Sequence, residues 1–194
     1  MRPLATVLVD ESHRQAWSTR SDVAARMNPG NPADAGLTMA AAALADAGMP
    51  VVAHVDGLLT ASVLESADVL VLPHCATDDW ETTTGVGSPV YTGSEIDAIE
   101  AFVRSGGGLV ILAETEQAKY GNSLADIAAR FGITIRNATV QDTVDRFKDV
   151  PTWIRVKPVG ASRWCCGFSH RARRFPAGRT RSGNRIMRGF PIRL

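Results

Sequence analysis

Long apolar runs are missing from this chain of 194 residues. No stretch approaches the roughly 18 consecutive apolar residues that a bilayer-crossing helix needs. The start, Met1-Arg2-Pro3-Leu4, passes directly into a short apolar segment that closes on Asp10-Glu11, a pattern unlike a signal peptide. A soluble, cytoplasmic protein without a membrane partner is the expectation. Cysteine is scarce: Cys75 and the adjacent pair Cys165-Cys166 supply neither a disulfide framework nor a spaced C-x-x-C metal site. Phosphate-binding glycine patterns are also missing. Gly85-Val86-Gly87 and Gly106-Gly107-Gly108 fit neither G-x-G-x-x-G nor a Walker loop, and the glycine triplet precedes an apolar run instead of following one. No cofactor is expected on these grounds.

Acidic residues are absent from the last 40 positions. Residues 1–154 hold 10 Lys/Arg against all 20 Asp/Glu, hence −10, whereas residues 155–194 hold 11 Lys/Arg and no acid, hence +11. The near-neutral total therefore conceals two unlike parts. The second part has no apolar periodicity and is interrupted by Gly and Pro, so it lacks the means to build a core. The expected division is an α/β domain over 1–150 and an Arg-rich, irregular or disordered tail over 151–194. Three readings of the tail stay open. It is a basic arm for nucleic acid, with Trp164, Phe168, Phe175 and Phe190 for stacking; a segment docking on the acidic domain; or sequence without a selected role, such as the product of a reading-frame shift.

What is present in the first part is an alternation of two periodicities. Leu4 to Val9, Met49 to Val55, Asp68 to Leu72 and Leu109 to Ala113 are short apolar runs that read as buried strands, with Ile133 to Ile135 as a shorter fifth. Between them lie helical patterns. Asn31-Pro32-Ala33-Asp34 predicts a helix start, with Leu37, Ala40, Ala41, Leu44 and Ala47 on one face and Gly48 as the stop. A short helix is expected over 60–67. Thr92-Gly93-Ser94-Glu95 has the capping-box spacing and leads into a stripe of Ile96, Ile99, Phe102 and Val103. Ser123 to Phe131 carries Leu124, Ile127, Ala128 and Phe131 inward. Apolar strands alternating with helices predict an α/β fold of the doubly wound, flavodoxin-like kind, with a mostly parallel sheet of about five strands. If the last strand is incomplete, the sheet is expected to expose an edge.

Ligands in such folds bind at the carboxyl ends of the strands, and the loops there are polar. Asp10, Glu11, Ser12 and His13 follow the first strand, with Arg14, Gln15 and Trp17 close behind. His74, Cys75, Asp78, Asp79 and Trp80 follow the third. Glu114, Thr115, Glu116, Lys119 and Tyr120 follow the fourth. Asp10, Glu11, His13, His74, Glu114 and Glu116 are the candidate ligand-binding residues. Asp10, His13, His74 and Glu114 also have the ligand chemistry for zinc or a harder divalent ion, although no local spacing supports a metal. Cys75 is a candidate nucleophile only if His13 or another base reaches it across the edge. The Cys/His and metal centres are the two forms of a hydrolase alternative.

The order of these elements, with Val7-Leu8-Val9-Asp10-Glu11-Ser12-His13, Asp68 to His74, Glu95 to Ala113, Asn122-Ser123-Leu124 and Phe131-Gly132-Ile133, resembles the class I glutamine amidotransferase-like superfamily over residues 4–140. Within it the chain is similar to the non-amidotransferase branch found in bacterial proteins and in gliding-motility and intraflagellar-transport proteins. True members carry a nucleophilic cysteine in the turn after the fourth strand. This chain reads Ala113-Glu114-Thr115-Glu116 there, and the later segment that holds the family's His and acid is short. The resemblance therefore implies a domain without glutaminase activity, and a non-catalytic module binding a small polar ligand, such as a carbohydrate, or a protein partner.

Overall fold

The computed structural model describes residues 4–155. Cys165, Cys166 and nearly all of the basic tail lie outside the described residues.

Among the described residues four strands form: β1 (Val7–Asp10), β2 (Val51–His54), β3 (Val69–Leu72) and β4 (Gly108–Ile111). They make one all-parallel sheet in the order β2-β1-β3-β4. The helices are α1 (Ser21–Met27), α2 (Thr38–Asp46), α3 (Ala61–Leu64), α4 (Gly93–Arg104) and α5 (Leu124–Ala129). This is the α/β architecture that the alternating patterns predict.

Register explains the core. Leu8 pairs with Leu70 and Leu70 with Leu109, so these side chains share one face of the sheet. Leu72 and Ile111 extend the same face. Against it pack Leu64 of α3, Ile96 and Ile99 of α4, and Leu124 and Ile127 of α5. Leu64, Leu70, Leu72, Ile99, Leu124 and Ile127 are all sealed from solvent. The capping box is formed: the Thr92 hydroxyl accepts from the Glu95 amide, and the Glu95 carboxylate accepts from the Thr92 amide.

Three local expectations change. The polar stretch from Glu11 to Gly30 reads as a loop in the sequence but contains α1, whose Val23, Ala24 and Met27 form a small separate cluster with Ala35. Asn31-Pro32 opens only a 3-10 turn over Pro32–Ala35, and α2 starts later, at Thr38. No residue of α2 is buried, so its alanine stripe covers β2 without sealing it. Ile133–Ile135 does not pair with β4. Gly132, at φ +75°, turns the chain after α5, and too few apolar residues follow to extend along an edge. The isoleucines instead line an apolar cleft of about 440 Å³ beside β4, with Val103, Leu109, Ile111 and Phe131.

The chain steps from β1 outward to β2 and then returns to β3 on the other side of β1. The switch point therefore lies between the loops after β1 and β3, where open α/β sheets form their crevice. These loops are stitched together by backbone bonds. Ala16 N donates to His74 O at 2.9 Å, Ala76 N to Arg14 O at 3.2 Å, Arg14 N to Val86 O at 2.7 Å and Thr84 N to Gln15 O at 2.9 Å.

Gly87 permits this closeness. Its φ is +69°, and an added Cβ would fall 2.0 Å from the Ser12 carbonyl oxygen. Gly85 has φ +73° but open space around it. Gly85→Ala is expected to cost about 1 kcal/mol, the price of a left-handed residue with a side chain. Gly87→Ala adds a backbone collision and is expected to cost at least ~2 kcal/mol more. Urea unfolding of both variants measures the difference, and equal losses would refute the close approach.

Candidate functional site

The strand-end residues divide into two clusters. The first is built on Asp10, the last residue of β1, which is fully buried. Its Oδ1 accepts from the Ser12 amide at 3.0 Å and the Ser12 hydroxyl at 2.8 Å. Its Oδ2 accepts from His13 Nδ1 at 2.9 Å, Gln15 Nε2 at 2.6 Å and the Tyr91 hydroxyl at 2.6 Å. Arg14 sits between His13 and Gln15 at φ +53°, and this left-handed residue reverses the chain locally so that both neighbours can reach one carboxylate. The other ring nitrogen, His13 Nε2, lies 3.0 Å from Glu95 Oε1. Glu95 also accepts from the amides of Leu59 and Thr92. His13 stacks on Tyr91 with ring centroids 4.0 Å apart.

A single buried imidazolium thus spans two buried carboxylates. Burial works against all three charges, and the pairing outweighs it. At Asp10, burial would raise the carboxyl, but the His13 and Tyr91 bonds hold it below the ordinary range. His13 is raised, because Asp10 and Glu95 overcome the effect of burial. Glu95 is lowered by its backbone donors and then by His13. Glu11 lies beside this network and binds the Ser18 hydroxyl at 2.6 Å and the Thr19 amide at 2.6 Å, fixing the start of the β1–α1 loop.

These bonds use both nitrogens of His13 and both oxygens of Asp10. The cluster is a brace that joins β1, the loop before α3 and the start of α4. It presents little to a ligand, since Asp10, Glu11, His13 and Glu95 are each at most 3% exposed.

Cys75 belongs to the same interior. Its sulfur approaches Pro73 O at 3.5 Å and the Tyr91 hydroxyl at 3.6 Å, not an imidazole. Burial pushes the thiol up to about 12, so it stays protonated and weakly nucleophilic. The arrangement does not assemble the Cys/His pair.

The second cluster centres on His74, the second residue after β3. It is completely buried, yet Nδ1 and Nε2 lack hydrogen-bond partners among the described residues. Glu81 Oε2, similarly orphaned, stands 3.0 Å from Nε2 without hydrogen-bond geometry. The ring meets Tyr120 edge-on at 4.2 Å and Trp17 at 5.8 Å. Trp80, half exposed, lies 6.3 Å from Tyr120. Lys119 Nζ sits 5.2 Å from the Trp80 ring centre and 5.0 Å from that of Tyr120, and pairs with Glu116 at 3.2 Å. Burial, assisted by the Lys119 charge, lowers His74 to about 4, so the ring is neutral at pH 7. Glu81 is raised, by burial first and by the Glu114 charge second.

The six ligand-binding candidates are therefore split. Asp10, Glu11 and His13 belong to the first cluster; His74 is equally buried at the centre of the second, where the Glu114 charge acts on Glu81 and the exposed Glu116 joins through Lys119. The four residues with metal-ligand chemistry, Asp10, His13, His74 and Glu114, are divided between the two, and among the described residues no three His, Cys, Asp or Glu side chains are grouped to hold a metal ion. Sequence reasoning missed Tyr91 and Glu81, which lie in the long β3–α4 loop without a local pattern. It read Glu95 only as a cap. A carboxylate at the third helical position gives no sign that it also receives a histidine from a loop 82 positions earlier.

The two histidines have opposite linkage to pH. His13 is raised above its unfolded value of 6.5, so its contribution is complete below 6.5 and is lost as pH rises through the folded value. His74 is lowered, so its contribution is complete above 6.5 and is lost as pH falls toward about 4. Melting temperatures across pH are expected to lose the alkaline decline in His13→Gln and the acid decline between 6.5 and 4 in His74→Gln. Parallel curves for wild type and His74→Gln over that window would refute the neutral buried ring. No protein-family model and no curated protein matches the chain, so the chemistry of the site carries its interpretation.

Proposed function

We propose that residues 4–140 form a non-catalytic, amidotransferase-like module that binds a small polar ligand at the carboxyl edge of its sheet, in the recess around His74. The observation that carries this reading is the pair of orphaned buried groups, His74 and Glu81 Oε2, walled by Trp17 and Tyr120 at the switch point. A buried polar atom without a partner costs roughly 1–3 kcal/mol, and a ligand bringing hydrogen-bonding groups would recover that cost. Aromatic walls with a few convergent polar groups are the usual composition of a small-molecule site.

The absence of activated groups supports binding over catalysis. Cys75 is held as a thiol. His13 is committed to two carboxylates and has no free nitrogen to act as a base. The turn after β4 carries Glu114 where an amidotransferase-like nucleophile would stand.

The test is a ligand panel of monosaccharides, amino-acid amides and dicarboxylates, read by indole NMR resonances of the full chain. One class is expected to move the Trp17 and Trp80 signals in a saturable way, and His74→Gln, checked for native circular dichroism, is expected to weaken that binding at least about tenfold, the equivalent of one lost hydrogen bond. A panel without any saturable shift would overturn the proposal, and so would an undiminished response in the variant.

A further inference from the structure

The recess around His74 has an excess of acceptors. Glu81, Glu114 and Glu116 all come from the loops that surround it, and Lys119 is the cation among them, paired with Glu116. Among the described residues, Glu114 makes no ion pair, and the nearest basic side chain to Glu81 is the neutral ring of His74. Lys119 is the cation whose charge reaches Glu81, and it is shared with Glu116, so three carboxylates draw on one ammonium. The exposed ring of Trp80 and the edge of Tyr120 add faces that attract positive charge, and the chain already sets the Lys119 ammonium over both.

We propose that this recess binds a guanidinium group and that Lys119 is a resident cation which the ligand displaces. This rests on the reading that the His74 recess is a ligand site. The planar fork of a guanidinium can donate to a carboxylate through two parallel N–H bonds. Glu81 Oε2 would accept from one edge, and Glu114 would balance the charge. The bare nitrogen of the neutral His74 ring would accept at the floor, and the cation's flat face would lie on Trp80. A neutral ligand that moved Lys119 aside would leave the Glu81 and Glu114 charges without their cation. Lys119 is easily moved aside, since its pairing with Glu116 is between exposed side chains three residues apart.

The probes are N-acetyl-arginine amide and its neutral counterpart N-acetyl-citrulline amide, titrated into the full chain at low salt and followed by the indole resonances of Trp17 and Trp80. Arginine amide is expected to bind saturably and at least about tenfold more tightly than citrulline amide. Glu81→Gln, which keeps the shape of the side chain, is expected to weaken it by about tenfold. Lys119→Met is expected to tighten it, because the competing cation is gone. Equal affinity for the two amides would overturn the proposal, as would weaker binding in Lys119→Met. A monosaccharide that saturates a His74-dependent site where arginine amide does not would overturn the guanidinium class while leaving a ligand site in place. The arginines of residues 156–194 are a second source of the same group. Replacing the Lys and Arg of that segment by Gln tightens arginine-amide binding if they occupy the recess, and leaves it unchanged if the ligand arrives from outside; either result supports the guanidinium seat.

Discussion

The imidazolium of His13, held between Asp10 and Glu95, is the interaction on which the strand-end architecture depends. Its partners come from distant parts of the chain: the end of β1 and the first turn of α4. A buried carboxylate alone would be expelled or protonated. Two carboxylates with one shared cation, and with backbone or side-chain donors on the remaining lone pairs, form a satisfied network. Replacing one member would strand a charge in the interior, which is more damaging than removing the whole set. The brace also explains why the loop after β1 is ordered despite its polarity, since its polar side chains point inward to one another.

The outer recess has the opposite economy of bonds. In the brace every donor meets an acceptor. In the recess His74 and Glu81 are brought within 3.0 Å and left without hydrogen bonds. Satisfied and unsatisfied polar groups thus lie on adjacent loops, and Gln15 and Cys75 mark the seam, where an isolated antiparallel bridge joins the two. This contrast separates a part whose polar groups satisfy one another from a part whose buried polar groups are left without partners. It could not be made from residue types alone, because both parts contain a histidine, acids and aromatic residues.

Much of the fold was legible in the sequence because it depends on local periodicity. The apolar runs at 4–9, 49–55, 68–72 and 109–113 each contain or overlap a strand, and the Thr92–Glu95 capping box formed as its spacing implies. Helix α1 was hidden because Ser21 to Met27 has no long apolar stripe, and its three buried residues contact a 3-10 turn, not the sheet. The fifth strand failed for a related reason, since a run of three residues depends on a partner edge that local pattern cannot supply. The candidate residues were legible by strand-end position, but the cluster each one joins was not. Asp10, His13 and His74 look alike in the sequence, and only the tertiary partners, Glu95 and Tyr91 on one side and Glu81 and Tyr120 on the other, divide them.

The close seating of Gly87 on the Ser12 carbonyl has a consequence for how the recess can adapt. With four backbone bonds fastening the β1 and β3 loops to each other and to the 84–86 segment, that wall behaves as a fixed jaw. The adjustable parts are side chains, chiefly Lys119 after β4 and the half-exposed Trp80 on the β3 loop itself. On the proposed reading of this cluster as a ligand site, selectivity rests on rotamers and charge rather than on loop closure, so occupancy would leave amide exchange in the β1 and β3 loops almost unchanged while altering the dynamics of the Lys119 and Trp80 side chains.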